Sequence, residues 1–131
     1  VGLPFATWQL WGLIAIAGAA GTLCRFGLSG IVQRWAGEGF AWGTLVVNAL
    51  GCFLFALVWT LAEPRLLISG QTRFILLTGF MGAFTTFSTF AFETGQLMRD
   101  SQWALAAVNL AGQNLLGISC LFLGMAAGRL L

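Results

Sequence analysis

Long apolar runs broken by rare charges are what most limits the folds open to this chain. Of ten charged residues among 131, Arg34, Glu38, Glu63, Arg65, Arg73, Arg99, Asp100 and Arg129 fall between or after those runs, and only Arg25 and Glu93 press into them. Charged residues make up 8% of the chain and hydrophobic ones 59%, with a mean hydropathy of +0.91, whereas a soluble domain carries roughly 25% charged residues. So few charges cannot cover a water-facing surface. A hydrocarbon core about 30 Å thick is crossed by roughly 20 apolar residues in helical form. The runs therefore predict four spans, near 8–29, 40–62, 74–98 and 103–128. The expected fold is an all-α integral membrane protein with a single transmembrane domain over 1–131.

The N-terminal stretch lacks a basic leader and a small-residue cleavage site, so it is expected to be the first span and not a cleaved signal. With no soluble domain or tail expected, function is placed inside the bilayer, which argues against a soluble enzyme or a nucleic-acid binder. Cys24, Cys52 and Cys120 all fall in predicted spans without C-x-x-C or Cys/His spacing, and read as packing residues. The chain has no His and no Lys. That removes the commonest metal ligand and the usual proton carrier near neutral pH.

Four alternating spans put Arg65, Arg73 and Arg129 on the side of both termini, and Arg34, Arg99 and a snorkelling Arg25 on the other. Three against three leaves no positive-inside preference, as expected either for a chain that inserts both ways and pairs with its inverted copy or from chance with only six arginines. Size points the same way, because four short helices alone hardly enclose a hydrated path.

Polar groups inside the spans carry the chemistry. Arg25 follows the small residues Gly18 to Gly21, where it is either a functional charge or an end-of-span anchor. Asn48 is an isolated amide in the second span, free to donate to an anion or to bridge helices. The third span runs Thr78-Gly79-Phe80-Met81-Gly82-Ala83-Phe84-Thr85-Thr86-Phe87-Ser88-Thr89-Phe90-Ala91-Phe92-Glu93. Its glycines and β-branched threonines make a poor continuous helix, and a break at mid-membrane frees carbonyls that need a cation, a water or a pore. Phe84, Phe87 and Phe90 are expected on one stripe, beside Thr86 and Thr89. Ring edges carry partial positive charge, so phenylalanines among hydroxyls suit a small anion. Glu93 orients a hydroxyl, carries a proton or reaches the interface. Asn109, Gln113 and Asn114 in the fourth span predict a face turned to a partner helix or a polar path, and Gly124-x-x-x-Gly128 is a weak packing motif.

Three blocks together resemble the Fluc (CrcB) family of fluoride channels over essentially the whole chain. They are Gly21-x-x-x-Arg25, Gly43-Thr-Leu-x-x-Asn48-x-x-Gly51-Cys-Phe, and Gly79-Phe-x-Gly82-x-x-Thr85-Thr86-Phe87-Ser88-Thr89-Phe90. The resemblance implies a dual-topology antiparallel homodimer, with a break in the third helix and two fluoride pores at the subunit interface. It implies a structural sodium at the dimer centre, held by the backbone carbonyls of Gly82 and Thr85 and not transported. Phe87 and Phe90 match pore-lining rings, Ser88 and Thr89 a hydroxyl track, Asn48 a pore amide and Arg25 a basic vestibule residue. Where the family commonly has Tyr or Ser in the fourth span, this chain offers Asn109 and Gln113. The implied function is passive fluoride export across a bacterial plasma or inner membrane, lowering cytoplasmic fluoride, with no enzymatic chemistry. The alternative is a small dual-topology, proton-coupled multidrug exporter using Glu93, and a third class is a non-transporting assembly subunit.

Overall fold

A computed structural model describes residues 5–62 and 68–131. Glu63 and Arg65, used above in the charge pattern, lie outside the described residues. Helix α1 (Thr7–Ala36) leads to α2 (Trp42–Ala62). The third span opens with α3 (Gly70–Phe74), passes through a π-helical stretch (Ile75–Met81) and closes its first half with α4 (Gly82–Phe84). After two extended residues it resumes as α5 (Phe87–Arg99), and α6 (Trp103–Leu130) completes the chain. Four helical segments, with Gly70–Arg99 counted as one, are long and apolar enough to cross a membrane.

Helix α1 continues past Ser29, where its apolar run ends, to Ala36. Its 30 residues extend about 45 Å, beyond the hydrocarbon and into the headgroup layer, where hydropathy no longer marks a helix. Gly37 stops it at φ 90°, a conformation that costs glycine alone little. Gln33 then fastens the turn: its Nε2 donates to the carbonyls of Gly37 and Phe40, and its Oε1 accepts from the Gly43 N–H at 3.1 Å. At the opposite end Ser69 caps α3 by accepting from Thr72 N–H at 3.1 Å. The six tryptophans, Trp8, Trp11, Trp35, Trp42, Trp59 and Trp103, all fall near span ends, where amphipathic rings favour the headgroup level. Arg73 stacks over Trp59, 4.6 Å from the ring centre.

The protein interior is small. Val47, Leu77, Met81 and Phe84 form its apolar centre, while α1 buries only Gly21. Helices come together through glycine. A Cβ at Gly21 would strike the Phe80 carbonyl, one at Gly43 would lie 2.5 Å from the Ser29 carbonyl, and one at Gly124 would strike that of Phe53. Because lipid is as apolar as leucine, such close approach, and not exclusion from water, holds spans together. The most extensive helix pair is α2 on α6.

Gly124→Ala therefore forces α6 away from α2 and is expected to cost about 1–3 kcal/mol. Gly12→Ala, where a new Cβ meets nothing within 4 Å among the described residues, is expected to stay within about 0.5 kcal/mol of wild type. Unfolding midpoints in detergent check both.

Candidate functional site

The site is built around the interruption of the third span. Thr85 (φ −85°, ψ 158°) and Thr86 (φ −148°, ψ 112°) are extended, so helical hydrogen bonding cannot run through them. Their side chains and a neighbouring helix supply substitutes. Thr85 Oγ1 donates back to the Met81 carbonyl at 3.1 Å. Thr86 caps α5, its Oγ1 accepting from Thr89 N–H at 3.2 Å and donating to Thr89 Oγ1 at 2.9 Å. Asn48 reaches across from α2: its Oδ1 accepts from Thr86 N–H at 2.8 Å, and its Nδ2 donates to the Thr86 carbonyl at 3.0 Å. The same Nδ2 donates to Gln113 Oε1 of α6 at 3.0 Å. Gly51 permits this approach, because a Cβ there would strike Thr85 Cγ2.

The extended pair changes the aromatic pattern expected from sequence. Phe84 does not share a stripe with Phe87 and Phe90. It is only 3% exposed and stacks on Phe80 with centroids 5.8 Å apart. Three-residue spacing places side chains together only when all intervening residues are helical, and Thr85 and Thr86 are not. Phe87 and Phe90, both within α5, do pair, edge to face at 5.5 Å. Phe87 remains 79% exposed on the protomer.

Three cavities adjoin this region. The first, of about 300 Å³, is lined by Asn48, Thr85, Phe87, Phe90 and Gln113 among others. The second, of about 240 Å³ on the α1 side, is lined by Arg25 with the hydroxyl residues Thr22, Ser29, Thr44, Thr86 and Thr89. Thr86 borders both. Glu93 lines a third, of about 520 Å³, at the span ends beside Glu38, Gln96 and Asp100. Its Oε1 accepts from the Thr44 hydroxyl at 2.8 Å, while Oε2 is buried without a partner among the described residues.

Of the residues singled out in the sequence, Asn48, Phe87, Phe90 and Gln113 thus share one cavity, and Arg25 and Thr89 another. Ser88 is exposed and its hydroxyl lies 3.5 Å from that of Thr86. Asn109 lines none of these three cavities: it is 0% exposed and donates to Thr94 Oγ1 at 2.9 Å. Thr94 in turn donates to the Phe90 carbonyl at 2.8 Å. Gly82 is exposed and Thr85 half-buried. Thr44 and Thr94 received no role from sequence. Thr44 was findable, since it precedes Asn48 by one helical turn and shares its face.

Four apolar spans around an amide, hydroxyl and aromatic centre define a multi-pass helical membrane protein with a membrane-embedded polar site. The family model described as "CrcB-like protein, Camphor Resistance (CrcB)" matches residues 12–125, and the chain belongs to that family. Curated relatives include a protein named fluoride-specific ion channel FluC from Nitrosococcus oceani, 62% identical over 124 residues, covering 95% of this chain and 99% of the relative. Another of the same name, from Solidesulfovibrio magneticus, is 56% identical over 120 residues, covering 92% and 96%. A third, from Magnetococcus marinus, is 42% identical over 118 residues, covering 90% and 96%.

Asn48→Ala removes both hydrogen bonds to Thr86 at the break and a third to Gln113. Each neutral bond contributes about 1 kcal/mol net, so exchange of the Thr86 amide proton is expected to speed up by at least about tenfold, read by hydrogen–deuterium exchange in detergent.

Proposed function

We propose that this chain forms a fluoride-selective channel that lets fluoride leave the cytoplasm passively, down its electrochemical gradient. The observation that carries the reading is the first cavity, where Phe87 and Phe90 stand beside amide and hydroxyl groups with no ionised side chain in its lining among the described residues. Fluoride is small and strongly hydrated. Leaving water requires closely set donors, which aromatic edges and a side-chain amide supply without trapping the ion as a full positive charge would. Arg25, among the hydroxyls of the neighbouring cavity, attracts anions toward the path. Ser88 and Thr89 continue it as a hydroxyl track, and Asn109 steadies α5 from α6 through Thr94. The names of the relatives support the same substrate.

The working unit in this reading is an antiparallel homodimer in the inner membrane. Phe87, Ser88 and Gly82 are exposed on the protomer, and the Ser88 hydroxyl and the Gly82 backbone carbonyl gain little from acyl chains. A second, inverted copy covers them and completes two pores.

A sodium ion at the centre of that dimer is part of the proposal, and the chain's own bonding suits it. The helical donor for the Gly82 carbonyl is the Thr86 N–H, which is taken by Asn48 Oδ1. The donor for the Thr85 carbonyl is the Thr89 N–H, which is taken by Thr86 Oγ1. Both carbonyls lose their regular partners, and hard carbonyl oxygens suit a hard cation. Gly82 and Thr85 would hold sodium, which would supply positive charge near the anion path.

The exporter alternative places a carboxylate at the centre of the transport site. Glu93 lies instead at the span-end cavity, bonded to Thr44, which favours the channel.

Proteoliposomes loaded with fluoride or chloride test the reading. Fluoride efflux should exceed chloride efflux by orders of magnitude, and equal rates would sink it. Phe87→Ile should slow fluoride at least about tenfold, equivalent to about 1.4 kcal/mol. Replacing sodium on both sides with a large organic cation should lower flux and dimer stability, and no change in either would remove the ion from the account.

A further inference from the structure

Asn48, the amide that the family resemblance puts in the pore, has no hydrogen left for an anion. A side-chain amide carries two N–H hydrogens, and those of Asn48 go to the Thr86 carbonyl and to Gln113 Oε1. Its orientation is fixed by a group that cannot be reversed. The Thr86 backbone N–H only donates, so Asn48 must present its oxygen there. Nδ2 then faces Gln113, and Gln113 must answer with its own oxygen. A single backbone amide at the break thereby sets the direction of two side chains on two other helices.

The consequence falls on Gln113 Nε2. It is buried and has no partner among the described residues, and the residue, 9% exposed, stands in the wall of the cavity that holds Phe87 and Phe90. The hydroxyls there are committed, and the remaining amide is on the exposed surface. The Thr85 hydroxyl donates to Met81 and that of Thr86 to Thr89, while Asn114 is exposed and donates to the Leu110 carbonyl. A buried donor left unmatched is costly, and native proteins keep few of them without a reason.

We propose that Gln113 is the specificity-determining amide of the path, its Nε2 donating to a small dehydrated anion beside Phe87 and Phe90, with Asn48 a positioning residue that holds Gln113 in the donating orientation. The proposal rests on the fluoride-channel reading and assigns the donor within it. An Asp at 48 would accept only, and Gln113 would turn to satisfy it, spending the donor.

The full chain in nanodiscs, labelled with ¹⁵N at glutamine and asparagine side chains, tests this by NMR. The Gln113 pair is assigned by its loss in Gln113→Met or Gln113→Glu, and the Asn48 pair by its loss in Asn48→Ser. Sodium fluoride should shift the Gln113 signals saturably, equimolar sodium chloride should not, and Asn48 signals should move little. Fluoride efflux through Gln113→Met should fall at least tenfold while the protein keeps its wild-type elution volume. Shifted Asn48 with unmoved Gln113 signals, or wild-type efflux in Gln113→Met, would overturn the assignment while leaving the channel intact. A wild-type protein that passes no fluoride would instead remove the underlying reading. If Gln113→Met does not fold, the titration of the wild-type protein decides alone.

Discussion

Everything in this molecule answers to one constraint: a backbone N–H or carbonyl at mid-membrane must find a partner inside the protein, because hydrocarbon offers none. The third span violates helical continuity at Thr85 and Thr86, and α2 meets the resulting demand along one face. Thr44 bonds Glu93, Asn48 bonds Thr86 twice, and Gly51 leaves room for Thr85. Spacings of four and three residues put all three on the same side of α2. The position of α2 is in turn set by α6, through Gly124 against the Phe53 carbonyl and Gly128 against Thr60. Packing one helical turn beyond Leu121 in the cavity wall therefore bears on whether the amide arrives where the break needs it.

The same arrangement separates two chemical environments across a few residues. On one side of the extended pair stand rings and amides; on the other, hydroxyls and a guanidinium. Thr86 belongs to both, yet its own hydroxyl is committed to capping α5. A group that must hold the backbone is poorly placed to release and rebind an ion. The side-chain hydroxyls that structure the break are thus already committed, even where uncommitted polar groups adjoin them in sequence.

The membrane class was legible from charge spacing and hydropathy, because the bilayer sets the same length requirement on every span. Asn48 and Gln113 also stood out, since an amide in an apolar run has few inexpensive fates. The partners were less visible. Thr44 and Thr94 look like ordinary span threonines until the fold brings Glu93 and Asn109 to them. Phe84 was misplaced because its spacing to Phe87 presumed helix through residues whose dihedrals are extended. The end of α1 was underestimated because helix and hydrocarbon do not stop together; Gly37, not hydropathy, ends it.

Glycine shows where sequence spacing loses its force. Gly124 and Gly128 make a motif too common to weigh alone, yet both positions press on α2. Gly12, Gly27, Gly30 and Gly95 are equally plain in sequence and meet nothing within 4 Å. What separates the two groups is the presence of an opposing helix, a property of tertiary approach and not of the helix that carries the glycine. Spans without hydrophobic attraction to one another gain dispersion contacts only at such near approaches. A mutation at a contact glycine therefore acts on the site by moving a helix, whereas one at an open glycine acts only on local helix propensity. The polar centre can stay ordered in so small an interior because α2, pinned at Gly43, Gly51 and opposite Gly124, has few alternative positions in which Asn48 still meets Thr86.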